Sequence, residues 1–447
     1  MRILSVFLWL LLSIMTTSAL FAVGHSSVET CDTLLHEGDF SMPLGTRLRQ
    51  ISFSDFDKNG LIDIGIASEF SNQVIVLLNL DGLTFAAPRF IGVQDHPMGI
   101  AAVDVDNDGD DDLVATNTNS NSINIVRNDG MANFAVVQTY GTGNFPGTLT
   151  LGDFDRDSLV DIAVLNGFGQ SVSIFKNLGD ATFQGRPEIP IGFRPWSIQA
   201  ADIDMDLDTD LIITCGDLGI QQLLNDGSGS FTLGTPINVP QGAGGLAIAD
   251  IDGDSDPDVL VSSGLDGGTL LTYANDLGQL TEIDNYPIGD GVGCICATDL
   301  DEDNDLDLVM SHDGSGTYQA TVLINDGTGS FCLNFEIPNL IERTVGAYSA
   351  DIDNDSDNDV IMVHWGWDFS GLTFLVNSLD WIRGDADGDG SIAISDAVYL
   401  VNYIFAGGPV PAPITSGDPD CSGAISISDG IYLINYIFGG GPAPCEP

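Results

Sequence analysis

Seven times along the chain, carboxylates fall at alternate positions of a short loop, in the pattern Asp-x-Asp-x-(Asp/Asn)-x-x-x-Asp. The first four sets are Asp55, Asp57, Asn59 and Asp63; Asp104, Asp106, Asp108 and Asp112; Asp153, Asp155, Asp157 and Asp161; and Asp202, Asp204, Asp206 and Asp210. The last three are Asp250, Asp252, Asp254 and Asp258; Asp299, Asp301, Asp303 and Asp307; and Asp351, Asp353, Asp355 and Asp359. Side chains at positions 1, 3, 5 and 9 of such a loop converge on one centre, which suits a hard cation taking about six to eight oxygens. Calcium is the expected cofactor, since magnesium keeps its waters and rarely takes an all-protein cage. Without a cation the four carboxylates would repel and raise one another's pKa. Asp used only to form turns explains one or two positions, not four fixed ones in every loop.

The loops begin at Asp55, Asp104, Asp153, Asp202, Asp250, Asp299 and Asp351, so successive spacings are 49, 49, 49, 48, 49 and 52 residues. A near-constant period of this length marks a repeat architecture. Each unit reads as an apolar segment entering the loop, as in Gly99 to Val103, a second strand such as Asp112 to Thr116, and a third such as Ile123 to Val126. A fourth follows a hairpin signal, Asn-Asp-Gly at 128–130, 225–227 and 325–327, where positive φ at Asn and Gly would suit a type I′ turn. Four short strands per unit around an axis is the propeller arrangement, here with seven blades, and an open stacked solenoid is the alternative. The last unit stops after its third strand near Leu372 to Val376, while Asp39 to Leu44 reads as an orphan fourth strand, so the N-terminus is expected to close the last blade.

Charge bounds the partners. Against 65 Asp plus Glu stand 12 Lys plus Arg, a formal net charge of -53, which disfavours nucleic acid and anionic membrane. The loops hold 27 of those acids, since Asn59 replaces one Asp in the seven sets of four. With 43% hydrophobic residues and 53 Gly, the chain is too apolar for a disordered acidic tail. Arg2, the apolar run from Ile3 to Met15 and the small residues Ser18, Ala19, Ala22 and Gly24 read as a signal peptide over residues 1–24, so the protein is expected to be secreted, with no membrane span. Export permits disulfides, and with Cys at 31, 215, 294, 296, 332, 421 and 445 at least one stays unpaired within the monomer.

On its Asp loops, the unit resembles the FG-GAP or VCBS repeat of integrin α-subunit propellers and secreted bacterial proteins. The resemblance covers residues 39 to about 378 within a domain placed at 31–380. It implies an all-β propeller whose loop joins the innermost strand to the next and binds calcium. The Phe-Gly and Gly-Ala-Pro signatures of that family are mostly missing here.

After Trp381 the pattern changes to two copies 33 residues apart, Gly384 to Pro409 and Gly417 to Pro442. Each is an Asp loop followed by a helical segment, Asp396 to Phe405 and Asp429 to Phe438. Asp385, Asp387, Asp389, Gly390 and Asp396 stand at EF-hand positions 1, 3, 5, 6 and 12, and Asp418, Asp420, Ser422, Gly423 and Asp429 repeat them. Asp at position 12 replaces the usual Glu, and Ser422 stands where the first copy has Asp389. Lacking an entering helix, this α-helical EF-hand-like module at 384–445 resembles a type I dockerin. The resemblance implies a cohesin-like partner recognised near Ile394, Ser395, Ile427 and Ser428. Cys421 and Cys445 are expected to staple the C-terminus, the alternative being unpaired buried thiols.

No nucleophile, base or catalytic metal set emerges. The five His, at 25, 36, 96, 312 and 364, are scattered and read mostly as loop residues. Two function classes remain. The favoured one is a secreted carbohydrate- or protein-binding adhesion module docked to a cohesin-type partner; the other is a subunit of an extracellular polysaccharide-degrading complex, lyase or glycoside hydrolase. The ligand is expected on the face opposite the Asp loops, whose turns carry Arg47, His96, Phe145, Arg194, Trp196, Tyr318, Arg343, Trp365 and Trp367. The bland alternative for Trp196 and the Trp365 to Asp368 stretch is packing between blades.

Overall fold

The computed structural model describes residues 34–42, 46–192, 194–216, 218–264, 268–289, 291–301, 303–312, 320–337, 344–365 and 370–377, and, near the C-terminus, 386, 392–406, 411, 417, 419, 425–439, 442 and 444. The chain divides into two compact units. One runs from Asp32 to Asp380, and the other contains residues 381–447.

The first unit is a seven-bladed propeller built from seven antiparallel sheets. Blade 1 consists of Leu48–Ser54, Asp63–Ser68, Gln73–Leu77 and Arg89–Gly92. The next five repeat this order, with first strands at Pro97–Val103, Pro146–Gly152, Pro195–Ala201, Ala243–Ala249 and Val292–Thr298. In blade 7, Thr344–Ala350, Asp359–Trp365 and Ser370–Asn377 are completed by Leu34–Ser41, which pairs from Leu34 with Asn377 to Ser41 with Gly371. The N-terminal strand therefore closes the ring, starting and ending earlier than the expected Asp39 to Leu44.

Second strands begin on the ninth loop Asp and are buried throughout, as in Asp112–Asn117 and Asp210–Cys215. Covered on both faces, they read as unbroken apolar runs instead of alternating ones. Each core cluster is shared by adjacent blades: Ile100, Leu113 and Val126 pack with Val74 and Val76 between blades 1 and 2. Ile64, Ile66, Ile361 and Phe374 do so between blades 1 and 7. A blade alone would leave these shared faces in water, so each blade depends on its neighbours for its core.

Two expectations are corrected. Asn128, Asn225 and Asn325 do not take positive φ; only Gly130, Gly227 and Gly327 of those turns do, at 72°, 73° and 75°. His312 and His364 are not loop residues but buried strand residues, with Nε2 2.8 Å from Thr321 Oγ1 and 2.9 Å from Thr373 Oγ1.

In the second unit, α1 spans Ile394–Ala406 and α2 spans Ile427–Gly439. Ala397, Leu400 and Leu433 form a small core with Ala386. Asp396 Oδ2 accepts from Ala393 N at 2.6 Å and Asp429 Oδ2 from Ser426 N at 2.7 Å, a first-turn carboxylate reaching back to cap each helix. Asp385, Asp387, Asp389, Asp418, Asp420 and Ser422 lie outside the described residues, as do residues 1–24 and the Cys421–Cys445 pair.

Candidate metal centres and the opposite face

Each Asp loop joins the first two strands of its blade, so all seven lie at one end of the propeller. The first-position carboxylate organises the loop. Asp104 Oδ1 and Oδ2 accept from Asp108 N (3.2 Å) and Gly109 N (2.9 Å), and Asp202 and Asp351 accept likewise from positions 5 and 6. Position 5 then accepts from position 7, as Asp206 Oδ1 does from Asp208 N at 2.9 Å. Closing such a turn puts positions 4 and 6 in the left-handed region, for example Lys58 at 59° and Gly60 at 88°, or Met205 at 58° and Leu207 at 74°. Only the first two loops place Gly at position 6. The others hold a side chain in that conformation against a cost of about 1–2 kcal/mol, which the carboxylate bonds must offset.

These bonds converge the acids. Single oxygens of Asp104, Asp106 and Asp108 lie within 4.8 Å of one another, as do those of Asp202, Asp204 and Asp206, and of Asp250, Asp252 and Asp254. In two loops the ninth residue joins instead, giving Asp55, Asp57 and Asp63, and Asp153, Asp155 and Asp161. Position 3 carries the clearest mark of a missing partner. Asp57, Asp106, Asp155, Asp204, Asp301 and Asp353 each bury an Oδ1 that no donor reaches. A bare carboxylate oxygen away from water is costly unless paired or bound to metal, so the donor set fits a hard cation. Burial and the neighbouring loop acids push Asp204, Asp301 and Asp353 above the usual carboxylate range. Asn59 turns its amide to Asn79 O at 2.9 Å while its Oδ1 accepts from Leu61 N.

The ninth-position Asp has a second role that sequence reasoning missed. Asp112 Oδ2 accepts from Val105 N at 3.2 Å and its Oδ1 from Asn128 N at 2.6 Å, buckling the loop to the end of the third strand. The same pair of bonds recurs at Asp63, Asp161, Asp210, Asp258, Asp307 and Asp359. Burial pushes these carboxyls up, Asp63 to about 6 and Asp112 to about 7. The Asn so held sends its amide to the preceding blade. Asn128 Nδ2 donates to Phe56 O, Asn225 to Phe154 O, Asn275 to Ile203 O, Asn325 to Ile251 O, Asn377 to Leu300 O and Asn79 to Ile352 O, all at 2.8–2.9 Å. The last of these stitches blade 1 to blade 7. An Asn 15–18 residues after each ninth Asp was the signal that could have revealed it.

The geometry and a comparison agree. The FG-GAP-like repeat matches residues 55–115, 104–164, 153–213, 204–261 and 250–310, a stretch longer than half of the 447 residues. The chain belongs to the FG-GAP-like repeat family. Its seventh loop lies beyond the matched FG-GAP stretch yet keeps the same bonds. No curated protein sequence matches the chain. The fold is similar to that of "BBS1N in complex with ARL6DN, soaked with lead", at 12% identity and a TM-score of 0.57 over 77% of this chain and 98% of that one. The mercury-soaked form of the same complex gives 11% and 0.56 over 77% and 97%. A chain of the "Mitotic Checkpoint Complex" gives 10% and 0.54 over 79% and 96%. At these identities the likeness is one of fold.

At the opposite end of this FG-GAP propeller, the residue entering a blade is held in the left-handed region in three successive cases, His96 at 58°, Phe145 at 63° and Arg194 at 54°, each before Pro. Their carbonyls accept from Thr118 N, Gly167 N and Gly216 N at 2.8–2.9 Å. Bulky residues rarely adopt this conformation. Beside them Phe168 is 69% exposed with its ring 4.2 Å from that of Phe145, and Trp196 is 61% exposed. Phe70 lies under the Arg47 guanidinium at 5.0 Å, and Arg47 and Arg49 share Glu69. The exposure of Trp196 rules out the inter-blade packing considered for it. Tyr318, Arg343 and Trp367 lie outside the described residues, and of Trp365 only the backbone is described.

Proposed function

We propose that this chain is a secreted calcium-binding recognition module, in which calcium at the Asp loops fixes one end of the propeller and the other end binds a glycan or an extracellular protein. The aromatic crescent of Phe70, Phe145, Phe168 and Trp196 carries the reading. Flat apolar rings left in water on rigid turns are suited to stacking on sugars or anchoring a partner side chain. Arg47 and Arg194 beside them, in a chain with 12 basic residues, favour a ligand bearing an acidic group. Two of the similar structures were solved as complexes, BBS1N with ARL6DN and the mitotic checkpoint complex, which accords with a binding role.

The test is Trp196→Ala and Phe168→Ala, with thermal stability and binding to a glycan and matrix-protein array measured on each. Binding should fall while the melting temperature stays within a degree or two, since both side chains are mostly exposed. Stability lost with binding unchanged would make these residues packing and remove the ligand face.

A second reading concerns the C-terminal unit, which we propose docks a cohesin-type partner. Ile394, Val398, Val401 and Phe405 are exposed along one stripe of α1, and Ile427, Ile431, Ile434 and Phe438 repeat them on α2 at the 33-residue offset. Apolar stripes of this kind in water favour a partner, and their duplication gives two like faces. Pull-down of a cohesin by the full chain, lost in Phe405→Ser with Phe438→Ser, supports this; capture unaffected by that pair opposes it.

A further inference from the structure

Among the described residues, five Lys and Arg side chains pair with the Asp loops, and they cluster on the second, third and fourth. In the third loop, Lys176 Nζ lies 2.6 Å from Asp155 Oδ2 and 2.8 Å from Asp157 Oδ2, bridging positions 3 and 5. Arg186 Nη2 adds a contact to Asp155 Oδ2 at 2.6 Å. In the second loop, Arg127 bridges the same two positions, Nε to Asp106 Oδ2 at 2.5 Å and Nη2 to Asp108 Oδ2 at 2.9 Å. Lys58, from the first loop, pairs with Asp110 at its edge. Each of these two loops thus receives two positive charges from the chain itself, the charge a divalent ion would bring.

The placement is systematic. Arg127 and Lys176 stand immediately before Asn128 and Asn177, at the repeat position where the other blades have Leu78, Leu224, Ala274, Ile324 and Val376. No basic side chain can reach in from that position in those five. In the fourth loop Arg156 pairs with Asp208 at position 7, away from positions 1, 3 and 5.

We infer that the second and third Asp loops are held by tethered cations and do not take the calcium that the other five take. The inference rests on the calcium reading above and divides the loops that reading treats alike. An ammonium or guanidinium bridging the Oδ2 atoms of positions 3 and 5 leaves the buried Oδ1 of Asp106 and Asp155 bare but sets a fixed positive charge beside them, so a divalent ion entering there would face like charge at contact range. An ion pair fixed by the fold needs no ion from solution. Blades 2 and 3 would therefore keep their loops shaped where calcium is scarce, while the fourth to seventh and the first become ordered on binding it.

Hydrogen exchange of the full chain, read by mass spectrometry in calcium chloride and in chelator, resolves the loops. Peptides reporting Asp108 and Gly109, and Asp157 and Ser158, should exchange equally in both conditions. Those reporting Asn59 and Gly60, Asp206 and Leu207, and Asp355 and Ser356 should slow at least tenfold with calcium. In Lys176→Met with Arg186→Met, the third loop should become calcium-responsive, and native mass spectrometry should count one more bound ion than in the unmodified chain. Arg127→Gln should do the same for the second loop. All seven loops responding alike in the unmodified chain overturns the tethered-cation inference and leaves the calcium reading standing. No loop responding overturns the calcium reading itself. A third loop still indifferent after both substitutions overturns the inference as well.

Discussion

Replacing Asn225 by Leu should cost about 2–4 kcal/mol of propeller stability. Its Nδ2 donates to Phe154 O in the preceding blade at 2.8 Å and to Thr209 O at 3.0 Å, and its Oδ1 accepts from Asp226 N at 2.9 Å. Phe154 is fully buried, so its carbonyl would be stranded at about 1–3 kcal/mol. Thr209 is half-buried and adds about 1 kcal/mol, while Asp226 is exposed and its N–H keeps its bond to Ser230 O at 3.2 Å. Leu fills the space of the amide, so little cavity cost is added. Urea unfolding at fixed pH and calcium measures this, with an unchanged denaturant slope confirming that the same surface is exposed. Asn133→Ala is the control, since its bonds to Asp129 lie in water and should be worth under about 0.5 kcal/mol. Asn225→Asp should cost more than Leu, because a carboxylate would face two carbonyl oxygens. A loss for Asn225→Leu no larger than the control's would refute the inter-blade stitch as a stabilising element.

Calcium-free protein should lose stability as pH rises. Burial pushes Asp63, Asp161 and Asp258 up to about 6, and Asp112, Asp210, Asp307 and Asp359 to about 7, from an unfolded value near 3.8. Folding then takes up protons, so the contribution is present below about pH 4 and is lost through pH 6 to 7; melting in chelator from pH 4 to 8 should show this fall, and a rise would contradict it. Asp204→Asn should raise the melting temperature in chelator by relieving the crowding from Asp206 and Asp202, and should shrink the increment added by calcium; an unchanged increment would remove Asp204 from the site. Leu207, 83% exposed at a φ of 74°, gains nothing from its side chain, so Leu207→Asn should stabilise by about 0.5–1 kcal/mol in thermal melts, and a loss would show that the side chain packs.

The repeat and the propeller were legible because the Asp loops are fixed both in spacing and in residue type. The closing strand was visible as an unpaired segment at the N-terminus, but its limits were not, since bends and bulges such as the one between His36 and Gly38 leave no clear residue signature. The Asn at the end of the third strand was read as a local turn former at 128, 225 and 325 and passed over elsewhere. Its partner lies 71–77 residues earlier in most blades, or 273 residues later at the ring closure, and no local rule reaches that far. The double duty of the ninth Asp was hidden for the same reason, as its bonds to strand and loop exist only after the blade has closed. Lys58, Arg127, Arg156, Lys176 and Arg186 could be counted in the sequence but not placed. Arg186 meets Asp155 across 31 residues, where a fourth strand already interrupted by Pro187 and Pro190 bends back.

The central claim, that the Asp loops are calcium sites, is tested most directly by anomalous diffraction from crystals of the full chain grown in calcium. The account predicts peaks between positions 1, 3 and 9 of the first loop and between positions 1, 3 and 5 of the fourth to seventh, each about 2.3–2.6 Å from the position-3 oxygens, including those of Asp57, Asp204, Asp301 and Asp353. Clean density with no anomalous peak in any Asp loop, at a calcium concentration in the millimolar range, would contradict it.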